Sequence, residues 1–223
     1  MGFFDFFKKE EHSITAEQLF KSDKKQNIEV DYCENCKVKS TCMASYTGKP
    51  DYLCNFVQEL PDYNPDKDSI LLFDDNEGVV SFLYDDLVEL NEDGQIVLAN
   101  YNVLKFTGEF AAFSLLASLR PYKGLRIKIA VFDITIGGGV YNDGVGNIIL
   151  DGVDAFIAVK EYNEDLIFSF FTGNKLNPYV HKNQEIIEKY KKATNNDIID
   201  SVVYKTSLSF KDRQNLLKRM IQP

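Results

Sequence analysis

Five polar residues in the second half of the chain directly follow short apolar runs, and as a group they could accept a phosphoryl group. In chain order they are Asp74, Asp75, Asp133, Thr172 and Lys205. Clustered carboxylates raise one another's pKa unless a cation compensates, and Mg²⁺ is a hard ion that suits oxygen ligands. In such a cluster Asp133 would be the nucleophile, while Thr172 and Lys205 would hydrogen-bond and neutralise the phosphoryl oxygens.

The elements that must position these residues are predicted by apolar runs that alternate with helical patterns. Predicted strands cover residues 70–73, 96–99, 127–132, 166–171 and 198–204. Predicted helices cover residues 77–90, 109–119, 153–162, 183–193 and 211–220. This alternation indicates an α/β fold, a doubly wound five-stranded parallel sheet whose ligand site lies at the carboxyl ends of the strands. All five polar residues are expected at that edge.

The pattern resembles the receiver domain of two-component response regulators, of the chemotaxis-receiver-like type, over residues 69–223. Asp74 and Asp75 correspond to the family's acidic pair, and Asp133 corresponds to its phospho-acceptor. Thr172 corresponds to the switch hydroxyl and Lys205 to the invariant lysine. Asp151-Gly152 resembles the Asp-Gly turn that precedes the third helix of the family. The resemblance implies a flavodoxin-like receiver fold, Mg²⁺ at the three aspartates, and phosphorylation of Asp133 by a histidine kinase or a phosphotransfer protein.

Three departures from the family pattern concern the readout of the signal and access to the site. Lys205 is followed by Thr206 rather than by proline, and Val202 stands where the family often has Tyr or Phe. Residues 134–150 form an insertion after Asp133. Its Asn-Asp-Gly sequence between apolar flanks predicts a β-hairpin.

A phosphatase of the haloacid-dehalogenase type is an alternative, because Asp133 followed by Ile134 and Thr135 also resembles the first motif of that family. That family places its acidic pair after the lysine, whereas here the pair precedes it. The order of the motifs therefore favours the receiver over an enzyme.

The cysteines predict a separate metal site. They occur in one short window with the spacing C-x2-C-x5-C-x11-C, and they are Cys33, Cys36, Cys42 and Cys54. In a reducing compartment this distribution favours a metal over disulfides. Tetrahedral Zn²⁺ is the leading interpretation, an iron–sulfur cluster is the alternative, and four unligated thiols remain possible.

Composition excludes several other classes of function. A net charge of −9 argues against sequence-independent binding of nucleic acid, which needs clustered Lys and Arg. No apolar run approaches the roughly 20 residues that span a bilayer, and the phenylalanine-rich start lacks the order of a signal peptide. Acidic residues in that start argue against binding to an anionic membrane. We therefore expect a cytoplasmic protein.

The predicted organisation is a charged amphipathic leader over 1–30, a metal-binding module over 31–60, a linker over 61–68 and the receiver-like domain over 69–223. We expect a stand-alone receiver that signals to a downstream protein target by protein–protein contacts and is not an enzyme. A non-phosphorylated binding or scaffold module with the same fold is the alternative.

Overall fold

The computed structural model describes residues 56–90, 97–119, 121–135, 140–142, 147–173, 176, 180–205 and 208–221. The strands are β1 Asp68–Phe73, β2 Tyr101–Phe106, β3 Ile127–Phe132, β4 Val140–Asn142, β5 Asn147–Ile149, β6 Ile167–Thr172 and β7 Val202–Tyr204. The helices are α1 Glu77–Leu90, α2 Val97–Asn100, α3 Ala111–Leu119, α4 Gly152–Tyr162, α5 His181–Thr194 and α6 Phe210–Ile221. Two 3-10 turns, Lys123–Arg126 and Ile198–Ser201, precede β3 and β7.

Five parallel strands form one sheet in the order β2-β1-β3-β6-β7. Without the two hairpin strands this is the flavodoxin-like order 2-1-3-4-5, in which the strand order reverses beside β1. The predicted doubly wound five-stranded parallel sheet is therefore confirmed. Its ligand crevice is expected where the carboxyl ends of β1 and β3 meet.

Both faces of the sheet are buried, which explains why β1 and β3 are continuous apolar runs. Leu71 and Phe73 join a core formed with α3, α4 and α5. Ile70 and Leu72 point the other way, into a smaller core with α1 and α6. The two layers of helices hold the central strands in place, and this fixes the loops at the carboxyl ends of those strands.

The second strand was predicted in the wrong place. Residues 97–99 belong to the helical turn α2, and the strand is Tyr101–Phe106. β2 pairs only with β1 among the described strands, so its buried residues alternate with more exposed ones. Alternation of buried and exposed residues is typical of an edge strand, whereas the prediction relied on the nearest continuous apolar run.

The last strand is shorter than predicted. Residues 198–201 form a 3-10 turn, and the strand begins at Val202. The Asp197 side chain accepts a hydrogen bond from the Ile199 amide at 3.0 Å, which caps that turn. This hydrogen bond stabilises the 3-10 turn, which competes with strand pairing for the apolar residues of the turn.

Residues 56–64, which we call the strap, pack against the β2 edge and α3. Phe56 stacks on Phe110 and Phe113 with ring centroids 5.3 and 5.2 Å apart. The side chain of Gln58 donates to the Lys105 carbonyl at 3.2 Å. The Asn64 amide donates to Asn102 Oδ1, and Asn102 Nδ2 donates to the Asn64 carbonyl. The part of the predicted linker that lies in the strap is thus bound to the domain.

Candidate functional site

The sheet brings the predicted acidic residues together at its carboxyl edge. Asp74 and Asp133 follow β1 and β3, whose last residues Phe73 and Phe132 are paired in register. The Asp133 amide donates to the Phe73 carbonyl at 2.8 Å, so hydrogen bonding between the strands extends to Asp133. The two carboxylates therefore start from neighbouring, rigid backbone positions.

Asp75 completes a group of three acids. One carboxylate oxygen from each of Asp74, Asp75 and Asp133 lies within 4.8 Å of the others. Asp74 is 1% exposed and Asp133 is 4% exposed, while Asp75 is half-buried. Three carboxylates at this separation repel one another strongly in a site that is partly closed to water.

Lys205, which follows β7, bridges two of these acids. Its Nζ lies 2.5 Å from Asp74 Oδ2 and 3.2 Å from Asp133 Oδ2. The ammonium thus reaches across the carboxyl ends of β6 and β3 to the end of β1. One lysine compensates only part of the charge on three carboxylates.

The pKa values reflect this incomplete compensation. Burial and, after it, the neighbouring Asp74 carboxylate raise the pKa of Asp133 from 3.8 to about 6, although Lys205 opposes the shift. Burial also raises the pKa of Asp74, against the effects of Lys205 and of the Asn76 amide. The site therefore carries negative charge that the described side chains stabilise poorly.

Local hydrogen bonds orient the acids. Asp74 Oδ1 accepts from the Asn76 amide at 3.0 Å, which forms a short turn before α1. Asp133 Oδ1 accepts a long bond of 3.4 Å from the Thr135 amide. These contacts leave carboxylate oxygens of both residues available for a further ligand, since each oxygen has more than one lone pair.

The predicted hydroxyl lies at the same edge. Thr172 is the last residue of β6, is fully buried, and pairs in register with Tyr204, the residue before Lys205. Gly173 follows it, and a Cβ at Gly173 would lie 3.9 Å from Lys205 Cδ. The end of β6 and the lysine side chain are therefore neighbours at this edge.

A magnesium ion fits this donor set. The donors are carboxylate oxygens, which Mg²⁺ prefers, and their negative charge exceeds that of the lysine. Asp74, Asp75 and Asp133 would hold the ion, and its charge would oppose both burial and the repulsion from Asp74, which together raise the pKa of Asp133.

The predicted Asp-Gly turn packs against the backbone of Asp133. The Gly152 amide donates to the Ile134 carbonyl at 3.1 Å. A Cβ at Gly152 would lie 1.6 Å from the carbonyl oxygen of Asp133, so no larger residue fits there. Asp151 is the N-cap of α4 and forms a capping box with Asp154.

Sequence reasoning missed two residues near this turn, Asp154 and Lys189. The Lys189 ammonium lies 2.8 Å from carboxylate oxygens of both Asp151 and Asp154. An acid three residues after an Asp N-cap resembles the capping-box pattern, so Asp154 had a signal in the sequence. Lys189 had none, because its contact is long-range.

Other predicted features lie partly or wholly outside the described residues. The metal site of Cys33, Cys36, Cys42 and Cys54 falls outside them, as does the leader over 1–30. In the insertion 134–150, β4 pairs antiparallel with β5, which is the predicted hairpin. Within the part of the chain that the structure describes, no helix is long and apolar enough to cross a bilayer.

Comparison with known proteins gives similar solved structures but no matching family model and no matching curated protein. The isolated receiver domain of RcsB from Salmonella enterica serovar Typhimurium is 17% identical with a TM-score of 0.42, covering 69% of this chain and 87% of that chain. A CheY-like receiver domain protein from Methanospirillum hungatei is 14% identical with a TM-score of 0.41, covering 70% and 94%.

A response regulator from Thermotoga maritima is 16% identical with a TM-score of 0.39, covering 70% of this chain and 99% of that chain. These identities and TM-scores are too low to assign a function. The function has to be argued from the strand order and from the geometry of the site.

Proposed function

We propose that this chain is a phospho-acceptor receiver in which Asp133 takes a phosphoryl group in the presence of Mg²⁺. The observation that carries the proposal is the convergence of Asp74, Asp75 and Asp133 at the point where the strand order reverses, with Lys205 bridging two of them. Acids and a lysine that only solvated a surface would not be buried together at this crevice.

In the proposed reaction a carboxylate oxygen of Asp133 attacks the phosphorus of the donor. A new O–P bond forms as the bond from phosphorus to the donor's leaving atom breaks, and the electron pair stays on the donor. With a phosphohistidine donor the leaving atom is an imidazole nitrogen, and the product on this chain is an acyl phosphate. Mg²⁺ at the acids would neutralise charge on the phosphoryl group.

Lys205 has a separate role in this proposal. Its ammonium contacts Asp133 Oδ2 at 3.2 Å and is therefore close to any group attached to that carboxylate. It would pair with a phosphoryl oxygen, and the Thr172 hydroxyl would donate to another.

The proposed partners are a histidine kinase or a phosphotransfer protein as donor and a protein target downstream. Val202 is half-buried where the family's rotating aromatic residue stands, so the output would depend on other parts of the surface. In this proposal the chain is modified once per signal and does not turn over a substrate. The predicted cytoplasmic location belongs to the same proposal.

Intact-mass spectrometry after incubation with Mg²⁺ and acetyl phosphate tests the proposal. The wild type and Asp165→Asn, which changes an exposed carboxylate, should gain the mass of a phosphoryl group. Asp133→Asn should not gain it, and omission of Mg²⁺ should prevent it in all three proteins. Binding of beryllofluoride should follow the same pattern.

A folded wild type that stays unmodified, or equal modification of Asp133→Asn, would refute the proposal. The first outcome would favour the alternative of a binding or scaffold module with the receiver fold. The second would place the acceptor elsewhere.

A further inference from the structure

A second cluster of charged side chains lies behind the phosphorylation loop. Lys189, in the middle of α5, places its Nζ 2.8 Å from Asp151 Oδ2 and 2.8 Å from Asp154 Oδ2. Asp154 is 2% exposed, and Lys189 is half-buried. Within the residues that the structure describes, this ion pair joins α5 to the start of α4.

The two acids hold the start of α4 as a capping box. Asp151 Oδ1 accepts from the amides of Val153 and Asp154 at 2.8 and 3.0 Å. Asp154 Oδ2 in turn accepts from the Asp151 amide at 3.0 Å. Such reciprocal bonds fix the direction in which the chain enters the helix.

A capping box that pairs a buried carboxylate, Asp154, with a half-buried one, Asp151, is stabilised by a nearby cation. Burial and then the Asp151 carboxylate raise the pKa of Asp154 to about 6, while Lys189 opposes the shift. Burial alone would lower the pKa of Lys189, but the two carboxylates outweigh it and raise this pKa. The lysine is therefore held charged, and its removal would leave the buried Asp154 carboxylate beside that of Asp151 without a compensating cation.

This helix start is in direct contact with the backbone of the nucleophile. Gly152, between Asp151 and the first full turn, donates its amide to the Ile134 carbonyl and leaves no room for a Cβ against the Asp133 carbonyl. A shift of the capping box would therefore move residues 133 and 134. A displacement of about 1 Å in a reacting group can change a rate about a hundredfold.

We propose that Lys189 is a positioning residue for Asp133, acting through the Asp151–Asp154 capping box and Gly152. The inference rests on the proposed phosphorylation of Asp133. Because Lys189 belongs to α5, it also makes the position of that helix a determinant of the geometry at Asp133.

The test compares phosphorylation by acetyl phosphate at saturating donor and Mg²⁺ in three variants of the full chain. Lys189→Met should be slower by about tenfold, and Lys189→Arg should recover most of the wild-type rate because it restores the charge. Lys192→Met removes an exposed lysine from the same helix and should leave the rate unchanged. A wild-type rate in Lys189→Met would overturn the inference.

Two further measurements separate positioning from loss of stability. In Mg²⁺-free buffer, hydrogen exchange at the Gly152 amide should be faster in Lys189→Met, while amides within β1 should keep their protection. The double variant Asp154→Asn with Lys189→Met removes the charge of Asp154 together with that of Lys189. It should therefore be more stable than Lys189→Met alone yet remain slow in phosphorylation. Recovery of rate and stability together would mean that Lys189 has only a structural role.

The outcomes also separate this inference from the proposed function. If the wild type is not phosphorylated, the proposed function fails, and exchange at Gly152 still reports whether Lys189 holds the loop. If the wild type is phosphorylated and Lys189→Met matches it, the proposed function stands and the positioning role is refuted.

Discussion

Replacing Asp133 by asparagine should stabilise the Mg²⁺-free protein above pH 6 while removing the proposed phospho-acceptor. The pKa of Asp133 is about 6 in the folded protein, against 3.8 as its ordinary value. Between these values the folded protein holds a proton on this group that the unfolded chain has already lost. The free energy of unfolding therefore falls as the pH rises through this window.

The magnitude follows from the size of the shift. About two pKa units at 1.36 kcal/mol each correspond to about 3 kcal/mol, fully developed above pH 6. Asparagine cannot ionise, so the free energy of unfolding of Asp133→Asn does not fall for this reason. The advantage of Asp133→Asn over the wild type should therefore grow by about 2 kcal/mol between pH 4.5 and pH 7.5, or about 4–8 °C in Tm.

Urea unfolding of both proteins at a series of pH values, with a chelator present, measures this difference. Asp165→Asn, at an exposed position, should stay within about 0.5 kcal/mol of the wild type throughout. Adding Mg²⁺ should stabilise the wild type more than Asp133→Asn, because the ion binds the native acids. An advantage that is absent, or that does not change with pH, would show that the buried acids do not destabilise the fold.

Three further predictions concern other parts of the chain. Gly152→Ala should destabilise the fold by about 3 kcal/mol or more, because its Cβ would overlap the Asp133 carbonyl. Gly173→Ala should cost much less, because its Cβ would make an ordinary contact with Lys205 Cδ at 3.9 Å, and chemical denaturation of both variants measures the difference. Elemental analysis should find close to one zinc per chain, or iron with matching sulfide. Whichever metal is found should be lost when serine replaces Cys33, Cys36, Cys42 and Cys54. Replacing the insertion 134–150 by a short Gly-Asn link should leave the sheet folded and speed phosphorylation or loss of the phosphoryl group; unchanged rates would exclude a gating role.

The central part of the fold could be predicted because it is encoded locally. The helix predicted over 77–90 and the strand predicted over 127–132 have these same bounds in the structure, since their apolar periodicity matches their burial. The polar residues that follow the apolar runs 70–73 and 127–132 then fall at the sheet edge by topology alone. This is why Asp74, Asp75 and Asp133 could be grouped from the sequence.

The parts that failed depend on contacts between distant segments. β2 was misplaced because Asn102, a buried polar residue inside it, is satisfied by the carbonyls of Asn64 and Lys67 and by the Ser69 hydroxyl. No local sequence pattern indicates such long-range hydrogen-bond partners. In the same way, the contact of Lys189 with Asp151 joins residues 38 positions apart, and it exists only once α4 and α5 have packed.

The strap has a consequence for how this protein behaves at high concentration. An exposed edge strand is a template on which another chain can add, and natural proteins protect such edges with charges, irregularities or a covering segment. Here the strap covers β2, and Phe56 covers the rings of Phe110 and Phe113. A fragment begun at Ser69, where composition alone would place the domain boundary, would present a bare strand edge beside uncovered aromatic rings. We expect such a fragment to self-associate, and a fragment that keeps residues 56–68 to do so less.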